Sequence, residues 1–574
     1  MGSIKARITS VTLMSFGLMA VAIAIFANQV GLDKNTGWGT GRRVILTAGI
    51  LVMIAAFSMY LRPAYYHRAA RRVRSLRSPD GTAVVLGVSV LLVIAVYVWI
   101  VSVGYWTIWP ESSDRYNMLA TAFQHGKLAL LEQPDSRLTE LPNPYDCTER
   151  GSIPFLWDTL LYEGKYYLYF GPVPALVLGA AKVLIVQRIG DQYLVFAFLL
   201  GLFMFNGLLI ISIWRRFFSP LPPWTLVLAV LIAGLIFPTT WLLSRPHVYE
   251  AAIAGSQFFF IGGVYFAYTA LGSRANSYWR WLLTGISWGL AIGCRPTIAI
   301  SVLFMLGLML WLLRRMPAQA QQASSFRLKL AALAFPAILG ALAFGWYNQA
   351  RFGSVWEFGV SYQLTQMDLQ KSKDLLFSTA YVGPNLQAYL LTPFSILRRF
   401  PFLGPQLTDN PACLVHRPSL DYSEGGTGLL YAAPYLVLAI IPGAALFTAQ
   451  LRKILAQDTV ESDRENRLLA WLCVGLTGSA IISFSLLLLY HYSAMRYLEE
   501  VVPSLVLLAS IGLWQAYEFA SRKSQFRALY SLTALGLAAF SIIAGTLLAV
   551  TGPEARFRNL NHGLLQQIYE FFAH

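Results

Sequence analysis

Apolar positions in this chain come as long unbroken runs, not as alternating or one-sided patterns. Runs of about the 20 residues needed to cross a hydrocarbon layer fall at 8–28, 43–61, 83–105, 192–213, 222–243, 250–271, 281–294, 296–313, 328–347, 428–449, 468–490, 501–519 and 529–551. The pattern predicts an all-α polytopic membrane protein with about thirteen transmembrane helices. Runs 281–294 and 296–313 are short and divided by Arg295-Pro296, so two spans or one broken segment fits them. A further apolar run after Gly171-Pro172 reaches only about Val186 and reads as a re-entrant or interfacial helix. The first run, flanked by Lys5 and Arg7, is long and lacks a small-x-small cleavage site before Asn28-Gln29, which predicts an uncleaved span.

The polar segments between these runs set the orientation. Arg62, Arg68, Arg71, Arg72, Arg74, Arg77, Arg215, Arg216, Arg274, Arg280, Arg314, Arg315, Arg327, Lys329, Arg452, Lys453, Arg464, Arg522, Lys523 and Arg527 fall in alternate connections. With the N-terminus inside, all of them are cytoplasmic; Lys34, Arg42 and Arg43 are the exceptions. Two long loops, about 107–191 and 348–427, then lie outside and carry juxtamembrane helices. The chain divides into two N-terminal helices with a basic loop (1–80), a core with the first outer loop (81–347), the second outer loop (348–427) and C-terminal helices (428–574).

Composition narrows the class. Of 574 residues, 56% are hydrophobic and 13% charged, against about 25% charged in soluble chains. That excludes a string of soluble domains, a disordered chain and a coiled coil. The net charge of +16 is explained by basic cytoplasmic loops, so no nucleic-acid partner is expected. The lipid bilayer is the expected partner. Cys294 and Cys473 fall in apolar runs, whereas Cys147 and Cys413 lie in the two long loops, where a disulfide between them is expected. There is no CxxC, no HExxH and no Walker motif, and "GWGTGRR" follows no strand. No cofactor is predicted, and a divalent metal on the outer acidic residues has no motif behind it.

Candidate chemistry concentrates on the outer side. In "WPESSDRYNMLATAFQHGKLAL", Asp114 precedes an amphipathic pattern through Leu119, Phe123 and Leu128, which suits a surface helix; a simple helix cap explains Asp114 equally well. The same loop carries Asp146, Glu149, Arg150, Asp158 and Lys165 among Tyr162, Tyr166, Tyr167 and Tyr169, either an aromatic belt or a sugar-stacking wall. Outer span ends add Arg245, His247, Tyr249 and Glu250, then Arg295, then Asn348, Arg351, Glu357, Tyr362 and Gln363, then His491, Arg496, Tyr497, Glu499 and Glu500. Each Arg–carboxylate set reads alone as a structural ion pair. Together, on one side, they form the pattern expected around an anionic lipid headgroup.

The segments "SSDRYNMLATAFQHGKLAL", "YYLYFGPVPALVLGAAKVL", "GLAIGCRPT", "YNQARFGSVWEFGVSYQL" and "RYLEEVVPSLVLL" resemble the GT-C superfamily of polytopic glycosyltransferases, which includes protein mannosyltransferases and lipid A aminoarabinose transferases. The resemblance runs from about residue 83 onward, in the order and sidedness of these motifs. It implies a GT-C-like fold and transfer of sugar from a polyprenyl-phosphate carrier to an envelope glycan, lipid or protein acceptor on the non-cytoplasmic face of the cell membrane. It makes Asp114 the catalytic base. Asp146, Asp158 and Glu250 become secondary acid or acceptor residues, and Arg245, Arg295, Arg351, Arg496 and Lys165 donor-phosphate residues. Tyr116, Tyr166, Tyr167, Tyr169, Tyr249 and Tyr497 become the cavity wall. One departure from the family pattern is Arg115, where many relatives carry a second acidic residue. A single base acting in one displacement implies inversion at the anomeric carbon. The competing readings are a flippase or transporter of lipid-linked sugar, a polymerase or ligase of whole glycans, and a non-catalytic assembly factor. Transporters place ionisable groups at the bilayer midplane in paired repeats, which these runs do not show.

Overall fold

A backbone that crosses hydrocarbon must satisfy its own hydrogen bonds, which a helix does within one segment. The computed structural model, which describes residues 2–61, 79–182, 189–273, 277–314, 323–406, 423–445 and 460–573, is accordingly helical almost throughout. Among the described residues, nine helical segments are long and apolar enough to cross a membrane: 84–101, 191–217, 223–244, 248–272, 296–314, 327–352, 465–489, 502–520 and 524–551. Each coincides with an expected span. The other four expected spans meet helices of other kinds. α1 (Gly2–Phe26) and α2 (Thr40–Leu61) pack on each other. The run 281–294 is a 17-residue helix, and 428–449 is interrupted.

The principal helices in chain order are α3 (Pro79–Val101), α4 (Arg115–Gln124), α5 (Val173–Lys182), α6 (Asp191–Phe217), α7 (Pro223–Leu235), α8 (Thr239–Ser244), α9 (Val248–Gly272), α10 (Tyr278–Cys294), α11 (Ala299–Arg314), α12 (Ala323–Phe352), α13 (Val460–Leu489), α14 (Val502–Ala520), α15 (Ser524–Thr551) and α16 (His562–Ala573). Prolines set the interruptions. Pro238 has no N–H to continue a helical ladder, and Ile236 before it is extended, so the span 223–244, which matches the expected 222–243, is built of two helices, α7 and α8. Pro434 likewise separates the short helix Leu429–Ala432 from the helical stretch Pro434–Ala445, so the described part of 428–449 is not one continuous helix. Arg295, with extended backbone, separates α10 from the 3₁₀ turn that opens α11. α10 packs on α9 and α12, whereas α11 packs on α13. The expected two-or-one ambiguity is therefore resolved as two helices with different neighbours.

Side-chain bonds between helix ends sort the bundle into two ends. At one, Val248 N of α9 donates to Ser113 Oγ (3.0 Å), and Ser113 Oγ donates to Asp191 of α6 (2.5 Å). Arg295 pairs with Glu500, just before α14 (2.5 Å). Asn385 donates to the carbonyls of Leu487, Leu488 and Tyr490 where α13 stops. Arg556, beyond α15, donates to the carbonyls of Val101 and Pro110. At the other end, Arg216 of α6 pairs with Glu465 of α13 and donates to Gly272 O at the close of α9. Both long loops belong to the first end, called here the loop end. The connections at the other, the turn end, are basic: Arg280, Arg314, Arg327, Arg522 and Lys523 lie there. Among the exceptions to the orientation rule, Arg42 is nearly fully buried and ion-paired with Asp33 at 2.8 Å, so its charge is neutralised in place.

Among the described residues, the long loops contain only short helices, turns and hairpins. The first carries α4, α5 and a hairpin of β1 (Leu160–Tyr162) and β2 (Lys165–Tyr167). The second carries short turns and a small hairpin of β3 (Ser395–Ile396) and β4 (Leu403–Gly404). The loops are joined: Leu364 N donates to Thr159 O (2.8 Å) and Asp158 N to Leu364 O (3.1 Å). Of the apolar run after Pro172, the described residues Val173–Lys182 form a helix; the rest of the run, to about Val186, lies outside the described residues. Lys182 clamps this helix to α4 by donating to Asn117 Oδ1 and Thr121 Oγ1, both at 2.7 Å.

Candidate functional site

Asp114 stands at the N-terminus of α4, with non-helical backbone, but its side chain makes no capping hydrogen bond. The cap comes from Asp191, 77 positions later in sequence and at the first turn of α6. Its Oδ1 accepts from Tyr116 N and its Oδ2 from Arg115 N, both at 3.0 Å. Asp191 is fully buried, and Asp114 is half-buried beside it. The two carboxylates thus divide the roles that a sequence reading leaves combined in one. Asp191 satisfies the orphan N–H groups of the helix, and the Asp114 carboxylate is not consumed by capping.

Tyr116, one helical step on, is fully buried, and its hydroxyl has no hydrogen-bond partner. Arg295 and Cys294 from the α10–α11 junction lie within electrostatic reach of it, as does Asp191. This junction is seated closely on the first loop. Gly171 N donates to Cys294 O (3.3 Å), and a Cβ at Gly171 would stand 2.0 Å from Gly293 O, so only glycine fits. Arg295 is therefore presented on the same wall as Tyr116, stacked at 5.2 Å over the Tyr497 ring and paired with Glu500.

A second group of charges continues this wall. Arg245 and Arg496 both bind Glu424, Arg245 through Nη1 to Oε1 and Arg496 through Nη1 to Oε2 (2.6 Å). Both guanidinium groups lie over the Tyr249 ring, at 5.7 and 4.8 Å. Arg245 also pairs with Glu554 (3.0 Å), which receives His247 Nε2 at 3.2 Å. Burial pushes the Glu554 carboxyl up, but the His247 bond and the neighbouring arginines outweigh it and bring it down to about 2. Arg496 stays firmly cationic: burial works against its charge, and Glu424, then Tyr497, restore it. The Tyr249 hydroxyl binds Asp158, whose other oxygen accepts from Gln363 Nε2 at 3.1 Å. Asp158 has φ +54°, a left-handed conformation that Asp tolerates better than most residues. Tyr169 packs on Phe170 and lies within electrostatic reach of Asp158, Tyr249 and Tyr497; burial first, then Asp158, pushes its phenol well up.

The structure thus brings Asp158, Tyr169, Arg245, Tyr249, Arg496 and Tyr497 into one cluster, with Arg295 on its edge and Tyr116 linking that edge to Asp114. Other expected site residues have different surroundings. Among these, Glu250 still borders the cluster: it is buried as the capping partner of His247, accepting from its backbone N–H at 3.3 Å, and its carboxylate lies within electrostatic reach of Arg245 and Arg496. Asp146 caps the short turn Cys147–Arg150 and reaches Lys371 at 3.6 Å. Lys165 is exposed at the turn of the β1–β2 hairpin. Arg351 holds the base of that hairpin, donating to Leu168 O and Asn348 Oδ1, both at 2.8 Å, under Tyr347 and Phe352. Tyr166 and Tyr167 are buried by packing: Tyr166 O accepts from Leu130 N (2.8 Å), and Tyr167 sits on Phe352. Cys147 is disulfide-bonded and Cys294 and Cys473 are free; Cys413 lies outside the described residues.

Three residues of this region escaped sequence reasoning: Asp191, Glu424 and Glu554. Asp191 had a local signal, a carboxylate opening an apolar run in "GDQYLVFAFLL". Glu424 and Glu554 had none, since each acts on arginines far away in sequence. Glu499 was noted in sequence, but its role was not. It is fully buried, accepts the Thr239 hydroxyl at 3.1 Å on both oxygens, and burial raises its carboxyl to about 8 against the pull of that bond. Among the described residues, no group of three or more His, Cys, Asp or Glu is arranged to hold a metal ion.

No family profile and no curated protein matches this sequence. Among solved structures, the chain is similar to the oligosaccharyltransferase of Archaeoglobus fulgidus. Tethered with an acceptor peptide, that protein aligns at 12% identity and TM-score 0.42, over 81% of this chain and 55% of that one. In the apo form it aligns at 12% and 0.42, over 81% and 56%. In complex with an inhibitory peptide and a dolichol-phosphate it aligns at 13% and 0.40, over 80% and 55%. The chain spans about half the length of these structures.

Proposed function

We propose that this chain is an integral-membrane glycosyltransferase that moves a sugar from a polyprenyl-phosphate carrier to an envelope glycan, lipid or protein acceptor. The observation that carries the reading is the arrangement at α4: Asp191 caps the helix, Asp114 stands half-buried beside it without capping, and Tyr116, on the same helix start, lies within electrostatic reach of Arg295. An acceptor hydroxyl is a poor nucleophile. Asp114 takes its proton as the oxygen attacks the anomeric carbon, which inverts because one displacement occurs. The C–O bond to the lipid phosphate breaks as the new bond forms, and the electron pair leaves with the phosphate. Arg295, Arg245 and Arg496 answer that developing charge with fixed guanidinium donors. Tyr169, Tyr249 and Tyr497 line the sugar's path, and Asp158, held by Tyr249 and Gln363, orients the acceptor.

Basic residues collect at the turn end, so that end is cytoplasmic under the positive-inside rule, and the site faces the opposite side of the cell membrane. The test uses purified protein in nanodiscs with labelled polyprenyl-phosphate sugars and a crude envelope acceptor fraction. Wild type transfers sugar, and Asp114→Asn loses at least about a hundredfold of that rate with unchanged melting temperature. Equal rates in both proteins remove Asp114 as the base. No transfer with any donor by wild type, in the presence of authentic acceptor, removes the glycosyltransferase reading.

A further inference from the structure

We infer that Glu424 is an internal anion that occupies the donor-phosphate position between Arg245 and Arg496 and must yield it when the lipid phosphate binds. The inference rests on the donor reading above and adds a residue and a competition to it.

The geometry is that of an occupied anion site. One carboxylate spans two guanidinium groups, one oxygen to each. A phosphate group presents oxygens in pairs to two arginine forks in the same way. Both arginines are held in place independently of Glu424, by the Tyr249 ring beneath them and, for Arg245, by Glu554. Arg496 also packs on Tyr497 at 5.0 Å. Its Nε is buried without a hydrogen-bond partner, a cationic donor that the carboxylate does not satisfy. Arg496 is 8% exposed, and a buried cationic donor is ordinarily satisfied by an acceptor oxygen. A carboxylate has two oxygens and both are used; a phosphate brings a third.

Glu424 itself is attached lightly. It belongs to neither helix that carries the arginines. Its backbone N donates to Ser493 O (2.9 Å), and the next anchor is Gly426, whose carbonyl accepts from Gln406 N (3.0 Å). A Cβ at Gly426 would stand 2.1 Å from Met495 Cγ, so this segment passes flush against the turn that presents Arg496, with the Glu424 side chain two residues away bound to that arginine. Rotation of that side chain, without movement of the backbone, exchanges one anion for another. A donor phosphodiester carries one negative charge, as Glu424 does, so the exchange is charge-neutral. After transfer the phosphate monoester carries more charge, and the returning carboxylate competes with a product that would otherwise stay bound.

The experiment measures binding of farnesyl phosphate to full-length protein in zwitterionic nanodiscs, with farnesol as the neutral control. Glu424→Gln keeps the shape and removes the competing charge. It should bind farnesyl phosphate about tenfold more tightly than wild type, with farnesol binding unchanged. Glu424→Asp, a shorter carboxylate unable to span both arginines, should fall between the two and serves if the Gln variant folds poorly. Equal or weaker binding by both variants overturns the inference and makes Glu424 a positioning residue. An equal gain for farnesol overturns it too, because the effect is then not on the anion. If wild type binds farnesyl phosphate and Arg496→Ala loses it while the Glu424 variants do nothing, the donor reading survives and only the competition fails. If no protein binds the phosphate, both fall.

Discussion

The two ends of the bundle carry the same pairs of residue types in opposite circumstances. At the turn end, Arg216 meets Glu465 with side chains 27% and 44% exposed; at the loop end, Arg295 meets Glu500 at 17% and 3%. The first pair joins the ends of α6 and α13 at the surface, where screening and side-chain entropy leave it about 0–1 kcal/mol. The second is enclosed by Tyr497 and the α10–α11 junction, where one unpaired partner would be a buried charge. An Arg–carboxylate pair therefore says little about function until its burial is known. The loop end collects several buried charges within one aromatic enclosure, which folding alone does not require, since apolar groups of equal volume often serve as well.

That contrast breaks first at Arg295. Arg295→Met strands Glu500, and the expected destabilisation is about 3–5 kcal/mol, read as early loss of the folded fraction on thermal ramping in detergent. A melting temperature unchanged from wild type would mean that Glu500 is neutral, or hydrated, in the native state. Next comes Asp114→Asn, with transfer down at least about a hundredfold and stability unchanged, because the cap belongs to Asp191. A large stability loss in that variant would show that the two carboxylates do not divide the roles as described. Asp191→Ala reverses the pattern: two orphan N–H groups reopen, and about 1–2 kcal/mol of stability goes with them. Hydrogen exchange of the Arg115 and Tyr116 amides should rise in that variant ahead of the rest of the fold. The smallest effect is expected from Arg216→Met, within about 1 kcal/mol. A cost as large as that of Arg295→Met would erase the difference between the ends.

The helices were largely legible in sequence, because a span announces itself by length and composition alone. Expected runs such as 192–213, 250–271 and 501–519 match Asp191–Phe217, Val248–Gly272 and Val502–Ala520 to within a few residues at most ends. Hydropathy does not register a missing N–H, so the breaks beside Pro238, inside the span 223–244, and beside Pro434, inside 428–449, were not legible in the apolar runs. Among residues of the loop-end cluster, Arg245, Arg496, Tyr249 and Tyr497 were visible as ionisable and aromatic groups at span ends. Arg351 and Asp146 had the same appearance, yet they are bound into a hairpin base and a turn. Nothing in their spacing separates the two sets.

The order of the spans, the shared side of the two long loops and the basic character of the opposite end follow from the chain itself. Burying an apolar run in hydrocarbon and keeping lysine and arginine out of it are decided residue by residue along the sequence. The partner of each charge was decided only by tertiary structure. Asp191 reaches back across the first loop to cap α4, Glu424 arrives from the second loop to join Arg245 and Arg496, and Glu554 comes from beyond the last long helix. Such pairings depend on which helix ends are neighbours in space. Helix packing sets that, through contacts among apolar side chains that many sequences would satisfy equally well.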